Sequence, residues 1–428
     1  MILDRKTAPA RLASASIPVM DYPPVNLTDN LRCYRVEGGT EDIIKIDIVF
    51  KAGTRFESKP LTSSICLNTL KEGTENYTAK EIADTTDFYG AQIATNLSKD
   101  RAEITLLCQS KHLKKLIDIF TDIFLLPLFP KDEIEQYKKR SGSILAINLD
   151  KVEFKGRLLF SELMFSGTPY QDIYDLKDYA NVQIADLQEF FADYYNLEDS
   201  FCVISGRNTE EAAEILGRSI SKKNVPQSIS KLSIEPVHWN YVQGEKWNKK
   251  EGAVQTAIRM GVPALSRNHA DYTALYIANT ALGGYFGSRL MQNIREEKGY
   301  TYGIGSAINS LEGLSYLSIS TQVGADFTKL TVDEIKKEVK GIATQLINVD
   351  ELELIQHYIV GNLLNRFDGP FAKADRLKTL ISNGLPPDWF TLFSKSIFQL
   401  NPASICEVSR VYLHRDLLSL AVVGEWPE

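Results

Sequence analysis

The feature that most restricts how this 428-residue chain can fold is that it repeats itself. Leu187 to Gly206 (LQEFFADYYNLEDSFCVISG) parallels Ile405 to Gly424 (ICEVSRVYLHRDLLSLAVVG), 218 residues further on. Each is a helix-like segment, a short polar turn and an apolar strand ending in glycine. Ile65 to Leu70 parallels Ile277 to Leu282, with Asn68 and Asn279 lying 211 residues apart. Ala94-Thr95-Asn96, ahead of a strand over Ala102 to Gln109, parallels Ala307-Ile308-Asn309, ahead of a strand over Ser315 to Val323. Three matches in one order at similar offsets predict two homologous halves. Ser219 to Lys250, rich in Lys, Ser and Asn and broken by Pro226 and Pro236, reads as the linker between them. The expected domains are therefore 1–218 and 251–428, joined by 219–250.

Within each half, strands mix with long helices. Alternation over Ile43 to Phe50 predicts a strand. Apolar spacing predicts helices near Leu61 to Lys71, Ala79 to Tyr89, Lys111 to Phe124 and Lys131 to Leu149. Strands interleaved with helices that cover one face give an α+β layered domain.

Composition removes several function classes. A net charge of −7 argues against general nucleic-acid binding. No run of eighteen apolar residues predicts a membrane span. The start, Met1-Ile2-Leu3-Asp4-Arg5-Lys6, has no apolar core behind its charges, so no secretory signal is expected. The expected compartment is the cytoplasm, or the periplasm if a leader has been removed. The five cysteines (Cys33, Cys66, Cys108, Cys202, Cys406) form no C-x-x-C pair and read as buried free thiols.

The chemistry concentrates in one string, Leu282 to Tyr302 (LGGYFGSRLMQNIREEKGYTY). A glycine turn leads into a short amphipathic helix with Leu290, Met291 and Ile294 on one face. Gly299 sits where a left-handed cap would end it, and Tyr302 to Ser306 reads as a strand. Arg295 falls on the last helical turn and Tyr302 at the strand entrance, so a reversal between them can bring both polar tips near one cleft. Gly283-Gly284-x-x-Gly287 lacks the Lys-Ser/Thr pair of a phosphate loop, and close backbone approach explains it better. The whole string closely resembles the second half of the M16 (insulinase or pitrilysin-like) metallopeptidases, and the resemblance runs from about Asp29 to Glu428. It implies two homologous αβ domains of the M16 type forming half a clamshell. It also implies that Arg295 and Tyr302 bind the substrate backbone.

Active members of that family carry His-x-x-Glu-His on the first long helix. Two histidines four apart share a helix face and bind zinc, and the Glu acts as general base. Here the frame is present, Ala52-Gly53-Thr54-Arg55-Phe56-Glu57 before the helix and Lys71-Glu72-Gly73-Thr74 after it, but the motif is not. Its positions hold Ser64, Leu67 and Asn68, and Ser141 to Leu149, where a distal Glu is expected, contains no carboxylate. No two of the five histidines lie closer than 31 residues to each other. No metal site and no cofactor are therefore expected in this chain.

The resemblance then implies a non-catalytic, substrate-binding subunit of a heterodimeric zinc peptidase, inactive alone. A zinc-bearing M16 partner would supply the metal, and this chain would supply Arg295 and Tyr302 in trans. Arg295 would donate to a substrate carbonyl and Tyr302 to the developing oxyanion. The substrate would be a peptide or small unfolded protein. The alternative is a structural, assembly or peptide-binding protein on the same fold with no proteolytic role. In that case Arg295 complements a helix dipole and Tyr302 is a half-buried strand aromatic.

Overall fold

Along Ile43–Phe50 apolar residues alternate with Lys45 and Asp47, a two-residue period that puts one face of a strand into a core. In the computed structural model, which describes residues 16–223, 237–413 and 415–427, this segment is β3 of a six-stranded sheet. The first half begins β1 (Val25–Thr28), β2 (Leu31–Glu37), β3, α1 (Thr62–Thr69), α2 (Ala79–Phe88), β4 (Gln92–Leu97) and β5 (Ala102–Gln109). It continues α3 (Leu113–Leu125), α4 (Lys131–Asp150), α5 (Val152–Phe165), α6 (Asp178–Asn181), α7 (Ile184–Tyr194), β6 (Phe201–Gly206) and α8 (Thr209–Ser221). The second half begins β7 (Glu245–Lys249), β8 (Gln255–Pro263), α9 (Tyr272–Asn279), β9 (Thr301–Leu311) and β10 (Leu314–Gly324). It ends α10 (Thr328–Thr344), α11 (Val349–Asn365), α12 (Gly369–Ser382), α13 (Trp389–Ile397), α14 (Pro402–Tyr412) and β11 (Ser419–Gly424).

The two sheets have one topology. The first is ordered β1-β2-β6-β3-β5-β4 and the second β7-β11-β8-β10-β9. Without β1, the orders match strand for strand. So do the directions, with β2 parallel to β6 and β7 parallel to β11, and the other equivalent pairs antiparallel. The fold is α+β, built from two homologous units.

Two expectations need correcting. The segment 219–250 is not all linker: Ser219–Ser221 complete α8, and Glu245–Lys249 is strand β7. Its polar sequence (EKWNK) hid it, because an edge strand exposes most of its side chains. Residues 224–236, with Pro226 and Pro236, lie outside the described residues, as does the start of the chain, Met1 to Lys6. The third repeat match also slides by two. Thr95 pairs with Ile104 and Ser306 with Ile319, so Thr95 corresponds to Ser306 and not to Ile308. The turn between β9 and β10 is tighter, pairing Leu311 with Leu314, where Leu97 pairs with Ala102.

Neither half covers both faces of its own sheet. One face of the first sheet, through Cys33, Ile44, Ile46, Ile48, Cys202 and Ile204, packs on that half's helices. The other, through Val36, Val49, Phe201 and Val203, joins the core of the second half, where α12 contributes Ala374, Leu377 and Leu380. Reciprocally, α5 of the first half lies on the second sheet: Leu159, Phe160, Met164 and Phe165 pack with Ala421 and Val423. The approach is close enough that a Cβ on Gly261 would stand 2.6 Å from the Phe160 ring. Charges also cross the seam. Lys378 of α12 pairs with Asp47 (3.1 Å), Asp375 (3.1 Å) and Glu103. Lys45 pairs with Asp47 and Asp375, each at 3.2 Å. Burial opposes the Lys378 charge, but Asp47 and Glu103 outweigh it and hold its pKa above the ordinary lysine value.

A second polar knot ties the equivalent turns of the two halves together. Asp100, between β4 and β5, accepts from Arg55 Nη1 (3.1 Å) and from the amide of Glu312 (3.1 Å), between β9 and β10. The fully buried Tyr170 hydroxyl lies 2.6 Å from Asp100 Oδ1 and 2.7 Å from the Glu312 carbonyl, and accepts from Arg55 Nη1 at 2.8 Å. Arg55→Ala leaves a largely buried carboxylate without its counter-charge. It should lower unfolding free energy by about 3–5 kcal/mol, measured by urea denaturation. Arg55→Lys should recover only part of that, since one ammonium cannot reproduce the planar fork.

Candidate functional site

The glycine-rich string of the second half folds as the sequence suggests in outline and differently in detail. Its two helical pieces, Thr280–Gly284 and Met291–Glu297, are π-helical. The wider turn shows in the bond from the Lys298 amide to the Asn293 carbonyl at 3.1 Å, five residues back. Leu290, Met291 and Ile294 are buried, the face the spacing predicts. Gly299 takes φ +66°, its amide donating to the Arg295 carbonyl, and the chain turns into β9. At Gly283 a Cβ would stand 2.7 Å from the amide nitrogen and hydroxyl of Ser306. That is the close backbone approach expected of this turn.

Arg295 emerges on the last turn of Met291–Glu297. Its guanidinium lies 4.8 Å over the Phe286 ring and pairs with Glu296 at 2.5 Å. Tyr302, second in the edge strand β9, is 92% exposed. Among the described residues its hydroxyl meets no hydrogen-bond partner, and no bond joins it to Arg295. The half-buried strand reading of Tyr302 is therefore corrected, because β9 turns this side chain outward.

Groups distant in sequence anchor the string. Arg289 makes a two-pronged bond to Glu351 of α11 (3.1 and 2.9 Å). Asn293 donates to Glu334 and Glu338 of α10 (2.8 and 2.6 Å), and Lys298 pairs with Glu334 at 3.0 Å. Tyr285 packs against Tyr358 at 5.1 Å between ring centroids. Nothing local announces these acidic partners. Phe286, 67% exposed beside Arg295, was also missed, although an aromatic pair between glycines, Tyr285-Phe286, was the available signal.

The positions where the family's zinc motif would fall lie on α1. Ser64 and Asn68 share a half-exposed face one turn apart, and Leu67 is buried in the core. The Asn68 amide is committed: Nδ2 donates to the Ser64 carbonyl (2.8 Å) and Oδ1 accepts from Thr95 of β4 (3.1 Å). Asp150, just past Ser141 to Leu149, pairs with Lys250 at 2.8 Å. Catalytic zinc takes three ligands from His, Cys, Asp and Glu. Among the described residues no three such groups stand together. The donors on α1 do not fit the metal. The five cysteines are free and buried, and burial pushes the Cys108 thiol up to about 12.

The same helix holds one perturbed carboxyl. Glu57 caps the start of α1, accepting from the amides of Leu61 (3.0 Å) and Ser63 (3.1 Å) and from the Ser63 hydroxyl. Burial nonetheless raises its pKa from 4.5 to about 7, against the pull of these donors and Lys99. Because the folded value exceeds the free one, its contribution is whole below pH 4.5 and lost as the pH climbs through 7. That loss amounts to roughly 3 kcal/mol at about 1.4 kcal/mol per unit. Glu57→Gln should flatten the fall in stability over that window, read from urea melts across it. An unchanged slope would show that other groups control it.

Comparison with known proteins follows this geometry. Residues 37–152 match the family model described as Insulinase (Peptidase family M16), and residues 181–359 match the model described as Peptidase M16 inactive domain. A Bacillus subtilis protein named an uncharacterized zinc protease YmxG is 21% identical over 78% of this chain and 81% of its own. A Helicobacter pylori protein named a non-peptidase homolog YmxG is 20% identical over 89% and 88%. A Pseudomonas fluorescens crystal structure of a peptidase M16 inactive domain superimposes with a TM-score of 0.86, at 19% identity, over 95% of this chain and 98% of that one. A Helicobacter pylori structure called a protease gives 0.85, at 16% identity, over 94% and 99%. Two family models that together span most of the chain, on a twofold-repeated α+β frame, place this protein in the M16 peptidase family.

Proposed function

We propose that this chain is a catalytically inactive M16 member that serves as the substrate-binding subunit of a two-chain peptidase. Its Arg295 and Tyr302 would be presented to a peptide held against a zinc-bearing partner. The observation that carries the reading is a contrast. The positions for metal hold groups that cannot ligate zinc, while Tyr302 stands free on an edge strand with Arg295 one turn-reversal away. In this reading the metal chemistry belongs to the partner, and this chain binds and orients. Arg295 donates to a peptide carbonyl, with Phe286 supporting its guanidinium. Tyr302 donates where negative charge develops, and such a donor is commonly worth a few kcal/mol. The relative named a non-peptidase homolog supports inactivity of the chain alone.

The pairing of Arg295 with Glu296 favours a second reading, in which Arg295 is a surface fixture of an assembly or peptide-binding protein with no proteolytic role. Kinetics of the reconstituted pair separate the two. Tyr302→Phe should lower kcat and kcat/KM together by about a hundredfold, as loss of a transition-state donor does. Arg295→Ala should act mainly on KM. Folding and pairing should survive both changes, since neither tip is in the core. Full turnover in both variants would favour the assembly reading. One tightly held zinc per isolated chain, found by metal analysis, would overturn the account of α1.

A further inference from the structure

A cleft of about 690 Å³ opens on the seam between the halves, away from Arg295 and Tyr302, neither of which lines it. Its walls are β2, the start of β5 and Glu198–Phe201 from one half. From the other come Ser266–Asn268, the β9–β10 turn and the end of α12. Its size falls within the range of small-molecule and peptide-end pockets.

The cleft's charges are poorly compensated. Arg101 donates to the Ser382 carbonyl (3.2 Å) and lies 5.9 Å over the Phe201 ring. Arg267 lies 5.8 Å over Trp389 and 5.9 Å over Tyr272, and its Nε is buried without a hydrogen-bond partner. Lys51 and Arg32 add a third and a fourth cation to the lining. Among the described residues, none of the four has a carboxylate within 4 Å, although Glu312 and Asp100 act on Arg101 from further off. Half-buried guanidinium groups held by aromatic stacking, with no carboxylate in direct contact, are costly arrangements that an oxyanion would relieve.

Acceptors stand in the same cleft. Asp199 Oδ2 is buried without a partner, and Glu312 Oε2 has only the 3.8 Å ion pair with Arg55. Cations alone would suit any oxyanion, but these acceptors call for hydrogen-bond donors on the same ligand, and the amide N–H groups of a peptide supply them without adding negative charge. A free peptide end carries a carboxylate next to main-chain N–H groups. We propose that this cleft binds the free carboxyl terminus of a peptide. Its carboxylate is taken by Arg101, Arg267 and Lys51, and its N–H groups by Asp199 and Glu312. The inference does not depend on the Arg295 and Tyr302 reading, because a peptidase subunit and a pure peptide-binding protein would use such a cleft alike.

Calorimetric titration of the full chain tests it, with acetyl-trialanine as free acid, the same peptide as C-terminal amide, and inorganic phosphate. The free acid should bind saturably at one site. The amide and phosphate should bind at least about tenfold more weakly, as expected for loss of a charge-assisted pair or of the N–H donors. Arg267→Gln should weaken the free acid by about tenfold or more, while Lys329→Gln on exposed α10 should not. If Arg101→Gln fails to fold, Arg267→Gln and Lys51→Gln decide. No saturable binding of the free acid, equal binding of acid and amide, or undiminished binding to Arg267→Gln would each overturn the proposal. Phosphate binding as tight as the acid would make the cleft a general oxyanion site and overturn the peptide assignment.

Discussion

The half-buried contact between Asp100 and Glu312, closed over the buried Tyr170, is the constraint around which the rest of the molecule is arranged. These residues occupy the same turn in the two halves, β4 to β5 and β9 to β10, and they meet through Arg55 and Tyr170. When equivalent turns of two homologous units touch each other, the units face across an approximate twofold axis, as in an isologous dimer. The helix exchange obeys the same relation, with α5 on the second sheet and α12 on the first. An ion pair taken out of water gains stability only if its remaining hydrogen-bonding groups are met. Here the partners that meet them come from both halves, so the knot forms only when the halves are docked. The chain therefore behaves as one body despite its duplication, and each half completes the other's core.

Symmetry also explains what became of the two equivalent helix–strand junctions. On the first side, Asn68 of α1 bonds Thr95 of the edge strand β4. On the second, the Asn279 carbonyl at the end of α9 accepts from Ser306 of the edge strand β9 (3.1 Å). Each junction fastens a helix to the outermost strand, by the Asn68 side chain in the first half and by the Asn279 main-chain carbonyl in the second, where the Asn279 Oδ1 is buried without a partner. What differs is the surface beside it. α1 presents Ser64 and Asn68, and the Asn68 amide is spent on the Ser64 main-chain carbonyl and on Thr95. The second junction leads through π-helical turns to Arg295 and Tyr302, whose tips remain outside.

Much of the fold was legible because its signals are local. The alternation of β3, the buried face of Leu290, Met291 and Ile294, and the left-handed turn at Gly299 each follow from a few neighbouring residues. What stayed hidden depends on contacts distant in sequence. A π-helix is chosen by tertiary anchors such as Arg289 to Glu351 and Asn293 to Glu334, since intrinsic propensity disfavours it. The polar strand β7 is a strand only because β11 pairs with it. The helix exchange leaves no local trace, since a helix with an apolar face reads alike whichever sheet receives it. At the site, the loss of metal ligands was plain from residue identity, and the outward aim of Tyr302 was not. Strand alternation names two faces without saying which is open.

The surface around Arg295 has a physical character of its own. Phe286, which lies under the Arg295 guanidinium, and Tyr302 on β9 are large aromatic side chains left mostly in water. Aromatic residues and arginine are the types that contribute most when an interface closes over them, the aromatics by burying much surface for little side-chain entropy and arginine by its planar, charged fork. A protein under selection for stability alone gains nothing from exposing them on an edge strand, where uncovered backbone and aromatic groups invite unwanted pairing. The deep anchoring of the same segment through Arg289, Asn293 and Lys298 fixes the backbone that carries them. A rigid base under exposed tips is the arrangement that keeps the entropic cost of binding low.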